Sequence, residues 1–196
     1  MTLVAWASAG LILVTSLGLL ISRDWRISLG LLAAQYLFAF GLIGQNWPWN
    51  MAAIKLVTGW MAVATLSITR QSASETDESA DEFWSQGRLF RLFAAGVIVT
   101  IVVAGTIRVN NIIPGIGLPV LGGGLMLVGM GLLHLGTTSR TLRGILGLLT
   151  VLTGFEIIYT ALESSILVTA MLSLITLGLA LIGSYFLVSQ QTEGVE

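Results

Sequence analysis

The chain has 196 residues, 55% of them hydrophobic and only 10% charged, with a formal net charge of −1. Soluble domains carry about a quarter charged residues, so this composition points instead to a polytopic membrane protein. The absence of cysteine excludes disulfides, thiolate metal sites and iron–sulfur ligation. One histidine argues against a His-rich metal or haem centre, so no cofactor or metal is expected. No basic run offers nucleic acid a counterion-releasing surface.

The N-terminus, "MTLVAWASAGLILVTSLGLLISRDW", has no basic residue before its apolar run and reads as a membrane anchor, not a cleaved signal. A bilayer core of about 30 Å needs about 20 apolar residues as helix. Windows of that kind fall at 3–22, 26–45, 50–69, 90–108, 114–135, 143–162 and 164–188. The fourth and fifth are joined by "RVNNIIPG", where Pro114 and Gly115 mark a turn. Glycines and Pro119 in "PGIGLPVLGGGLMLVGMG" predict an irregular start to the fifth span and close contact with another helix. Only "ESS" separates the sixth and seventh, which predicts a tight hairpin.

Arg23, Arg26, Arg70, Arg88, Arg91, Arg140 and Arg143 follow odd-numbered spans or precede even-numbered ones, and Arg108 alone falls in a loop on the other side. This positive-inside bias places the N-terminus outside and the C-terminus inside. The stretch "RQSASETDESADEFWSQGRLFR", residues 70–91, carries Glu75, Asp77, Glu78, Asp81 and Glu82 and reads as a solvated, flexible linker. A carboxylate metal site is the competing reading of that stretch, and Phe83 with Trp84 suggests an interfacial turn. The expected fold is thus an all-α, seven-span bundle split three plus four. A three-helix half spans 1–69, the linker 70–89, and a four-helix half 90–196.

Ionisable and polar residues inside a bilayer are costly, about 2.5–3.5 kcal/mol for a mid-span charge on insertion scales, and read by default as functional. Glu156 interrupts "LLTVLTGFEIIYTAL" beyond the midpoint of the sixth span, toward its outer side. Lys55 lies a few residues into the third span from its outer end, so its stem can snorkel to the interface or its ammonium can meet Glu156. At 1.5 Å per residue the two differ in depth by only ~2 Å, which permits a pair if their spans are neighbours. Gln35, near the middle of the second span, suits helix–helix hydrogen bonding or a water file. His134 falls at the inner end of the fifth span, and is read as an exposed-end structural histidine or as a proton relay. Glu163 marks a solvated outer turn.

The run "LMLVGMGLLHLGTTSRTLRGILGLLTVLTGFEIIYTAL", followed by "SLITLGLALIG", resembles the K subunit of respiratory complex I and the C subunit of Mrp-type antiporters. The shared step is a glycine, a hydrophobic residue and a glutamate, here Gly154, Phe155 and Glu156. The first half, with "VTSLGLLISRDWRISLGLLAAQ" and Lys55 in "AAIKLVTGW", looks like the longer membrane subunit of formate-hydrogenlyase-type hydrogenases. Leu174 stands where the K subunit has a second glutamate. The run from Arg143 to Glu156 is also about three residues longer, so an alternative alignment sets Glu156 one turn beyond the usual acid, with Leu152 at the usual place.

The resemblance implies an accessory, connecting subunit of a proton- or sodium-translocating assembly. Its implied partners are large antiporter-like subunits and other small membrane subunits in a bacterial-type inner (cytoplasmic) membrane or a thylakoid. Glu156, Lys55, Gln35 and His134 are the ion-path candidates. No acid/base pair, nucleophile triad or metal cluster suggests catalysis by the chain itself, and membership of an oxidoreductase-coupled complex stays open. A stand-alone secondary transporter and a structural scaffold are the competing functions, although no inverted repeat is evident.

Overall fold

The computed structural model describes residues 2–22, 24–72, 85–112, 115–138, 140–163 and 165–193. Arg23, Pro114 and the acidic residues Glu75, Asp77, Glu78, Asp81 and Glu82, with Phe83 and Trp84, lie outside them, as does the side chain of Arg88. The described residues form seven α-helices and no strand: α1 Thr2–Ile21, α2 Trp25–Ile43, α3 Trp49–Ser72, α4 Ser85–Ile112, α5 Leu118–Gly136, α6 Thr141–Leu162 and α7 Ile166–Glu193. Each is long and apolar enough to cross a membrane. Helices satisfy every backbone polar group within the segment, as a span in hydrocarbon requires. Side-chain hydroxyls follow the same rule. Those of Thr15, Thr58, Thr106, Thr150, Thr153 and Thr176 donate to carbonyls three or four residues earlier in their own helices.

Element boundaries follow local chemistry. Asp24 caps α2 by accepting the Arg26 N–H at 2.9 Å. The fifth helix starts at Leu118, four residues later than the apolar window, because Gly115 takes a φ of 122° and Pro119 sits in the first helical turn. The seventh helix runs on to Glu193, five residues past the apolar window, as hydrogen-bonded helix outlasts hydrophobicity once past a bilayer.

Glycine sets the tightest contact, between α5 and α6. A Cβ on Gly154 would stand 2.6 Å from the Gly124 carbonyl oxygen, and one on Gly131 would stand 2.9 Å from the Gly147 oxygen. The pairs 124/154 and 131/147 step along antiparallel helices at the same seven-residue interval. Backbones therefore approach as closely as small residues permit. The hairpin expected between α6 and α7 is correspondingly less extensive than α5 on α6, and α7 packs more broadly on α3.

The two halves of the chain interleave. Helix α1 packs on α5, α2 on α6, and α3 on α7, in addition to the neighbours α1/α2 and α2/α3. One core cluster joins Ile12 and Leu42 to Leu121, Leu127 and Ile157, and a second joins Leu32 and Leu66 to Leu146 and Leu149. Helix α4 contacts mainly α5 and is the least buried span. Large apolar side chains such as Leu3, Phe93, Ile101 and Leu174 face outward, as suits a lipid-facing surface.

Candidate functional site

Helix periodicity turns Glu156 toward the interior. Gly154 touches α5, and a residue two positions on is rotated by about 200°, onto the opposite side of α6. That side faces α3 and α7. The Lys55 ammonium donates to Glu156 Oε1 at 2.7 Å, and both side chains are buried. The Thr176 hydroxyl of α7 donates to the same oxygen at 3.3 Å. Lys55 thus does not snorkel: its stem turns inward, and the pair spans a gap across which the α3 and α6 backbones make no close approach.

A second polar group lies deeper along α2 and α6. Gln35 is 1% exposed; its Nε2 donates to Ser16 Oγ at 3.0 Å, and its Oε1 accepts from the Thr150 hydroxyl at 3.4 Å. The amide therefore ties α1, α2 and α6 together. Tyr36, the next residue, lays its ring where a Gly59 side chain would be, one helical turn from Lys55 on α3. Its hydroxyl is buried beside Thr153 and near Glu156.

His134 belongs elsewhere. The reading of an exposed helix end is corrected: the side chain is 4% exposed, with its ring against α6 beside Gly147. The close α5/α6 approach at Gly131 and Gly147 draws it into the interior. Its Nε2 has no partner among the described residues, and Arg143 and Arg91 both lie near enough to act on it. Arg143 donates to the Ser22 carbonyl at the end of α1 (3.1 Å), and Arg91 to the Thr137 carbonyl at the end of α5 (3.2 Å). These guanidiniums cap helix C-termini, where cations suit the dipole.

Lys55, Glu156 and Gln35 thus lie in one polar interior region along α6, the pair at Glu156 and the amide at Thr150, and His134 lies apart at the arginine-rich end. Ser16, Tyr36, Thr150, Thr153 and Thr176 complete that region, although sequence reasoning did not single them out. Hydroxyl residues are common in helices as back-bonded neutral groups, so only their recurrence along one α6 face (Arg143, Thr150, Thr153, Glu156, Thr160, all buried) could have signalled them. Glu163 is exposed beyond α6, where its backbone N–H caps the Tyr159 carbonyl. Compared with known proteins, the chain matches no family model, no curated protein and no solved structure, so the site is read from its own geometry.

Proposed function

We propose that this chain is an accessory membrane subunit of a complex I-like, Mrp-like or hydrogenase-like assembly that translocates protons or sodium, and that it supplies the Lys55–Glu156 pair to the ion path. The observation that carries the reading is this buried 2.7 Å pair in a span-forming interior. A buried ion pair is a weak stabiliser and well-packed apolar residues serve a scaffold as well or better, so its presence favours function. The hydroxyls and amide of Thr176, Tyr36, Thr153, Gln35, Thr150 and Ser16 extend polarity from the pair toward the middle of the bundle. Glu156 is engaged by hydrogen-bond donors and not set in a cage of oxygens, which favours the proton over sodium.

The experiment has two stages. A tagged chain purified from its native membrane in mild detergent is expected to bring larger antiporter-like membrane subunits with it. The assembly in vesicles is then expected to lose coupled proton transport on the double substitution Lys55→Met/Glu156→Leu, which leaves no buried charge unpaired. A second reading, a structural clamp, is favoured by the way the pair bridges α3 and α6, whose backbones make no close approach. Retention of wild-type transport in the double variant would establish the clamp and end the ion-path reading.

A further inference from the structure

Helices α2 and α3 are antiparallel neighbours, so the start of α2 lies beside the end of α3 at the arginine-rich end of the bundle. There they part around an open groove of about 400 Å³. At its mouth stand Arg26, Ser67 and Gln71, in the first turn of α2 and the last turns of α3. Its floor is apolar and shallow, made by Gly30, Ala33 and Val63. Gly30 is exposed and a Cβ there would meet nothing within 4 Å, so the groove lies open at that glycine. At its deep end Trp60 donates its indole N–H to the Ala33 carbonyl at 3.2 Å.

The groove therefore changes from cationic and hydrogen-bonding to apolar over the seven residues from Arg26 to Ala33, or about 10 Å of helix. Arg26 is exposed and rests on the Trp25 ring, 5.4 Å from its centroid. Asp24 accepts the Arg26 backbone N–H, and among the described residues that line the groove Arg26 is the charged one. That gradient matches one phosphodiester with the upper part of its acyl chains. A basic pocket between spans, at the depth of the headgroups, is the common form of a lipid headgroup site.

We propose that this α2/α3 groove is a specific site for one anionic glycerophospholipid of the leaflet at the arginine-rich end. Arg26 pairs with the phosphate, Ser67 and Gln71 hydrogen-bond the headgroup, and an acyl chain lies over Gly30. The site is separate from the Lys55–Glu156 region and does not depend on any transport role.

The test uses the purified full chain, stripped of lipid in zwitterionic detergent and titrated with phosphatidylglycerol or phosphatidylcholine under native mass spectrometry. Wild type is expected to retain one phosphatidylglycerol in preference to phosphatidylcholine. Arg26→Gln should weaken that retention about fivefold, the scale for one basic residue at a membrane surface, and should not change phosphatidylcholine binding. Gly30→Leu starts from a position where a Cβ meets nothing within 4 Å, puts its side chain in the groove, and should abolish the retained lipid while leaving thermal unfolding unchanged. Arg108→Gln, at an exposed arginine outside the groove, should behave as wild type. Equal retention of the two lipids by wild type would overturn the proposal, as would undiminished retention in Arg26→Gln and Gly30→Leu. An equal loss in Arg108→Gln would overturn it too, since the binding would then be general surface attraction.

Discussion

The α-carbon of Gly154 faces the carbonyl of Gly124 so closely that a single methyl group there would stand 2.6 Å from the oxygen and 2.7 Å from Leu127 Cβ. Neither neighbour is the flexible end of a side chain. The contact fixes the rotation of α6, and with it the direction of Glu156 two residues on.

Gly154→Ala is accordingly expected to destabilise the chain by about 1–3 kcal/mol, the usual cost of overpacking a tight interior. Gly96→Ala, where a Cβ meets nothing within 4 Å, should be neutral or slightly stabilising. Reversible unfolding in mixed micelles measures both, and equal effects would show that the α5/α6 contact is looser than described.

Breaking the buried pair on one side should cost more than removing both sides. Lys55→Met alone leaves Glu156 with Thr176 as its remaining hydrogen-bond donor among the described residues, and about 3–5 kcal/mol is expected from the orphaned charge. Lys55→Met/Glu156→Leu should recover most of that loss. A double-mutant cycle with no coupling between the two positions would contradict the ion pair.

Gln35→Leu removes hydrogen bonds to Ser16 and from Thr150, but Thr150 keeps its bond to the Leu146 carbonyl. The expected loss is therefore modest, about 0.6 kcal/mol per interhelical hydrogen bond in membranes. A loss several times larger in the same unfolding assay would mean that Gln35 organises water as well as side chains.

The absence of cysteine makes orientation directly measurable. Single cysteines at Asp77 and Asn46 are expected to react with a membrane-impermeant maleimide from opposite faces, with Asp77 on the cytoplasmic side. Labelling of both from one face would refute the seven-span order.

Much of the architecture was legible because bilayer thickness fixes span length, so apolar windows alone marked seven helices. Lys55 and Glu156 were legible as residues, being conspicuous charges in apolar runs, and so was their similar depth. Their meeting was not, because depth along a helix says nothing about which helices are neighbours. The α3/α7 and α2/α6 packing that closes the gap is a property of the assembled bundle. His134 illustrates the same limit: position near a helix end predicted exposure, whereas the glycine contact one turn away buries it. Tyr36 reads as an ordinary aromatic until Gly59 on another helix provides its place.

The interleaving of the halves also has a temporal side. Lys55 and Glu156 are 101 positions apart, and the chain emerges from the ribosome at about 5–20 residues per second, so the lysine waits roughly 5–20 s for its partner. During that interval α1 to α3 have left the ribosome while α5, α6 and α7, on which they pack, are still being made. A newborn three-helix fragment therefore holds an unmatched cation at the edge of the hydrocarbon, within reach of the interface by way of its flexible stem. Completion of α6 gives that cation a reason to turn inward, and the arrival of α7 closes over it. The pair thus forms late in synthesis. A chain truncated before Glu156 presents a free intramembrane lysine of the kind that membrane quality control can recognise.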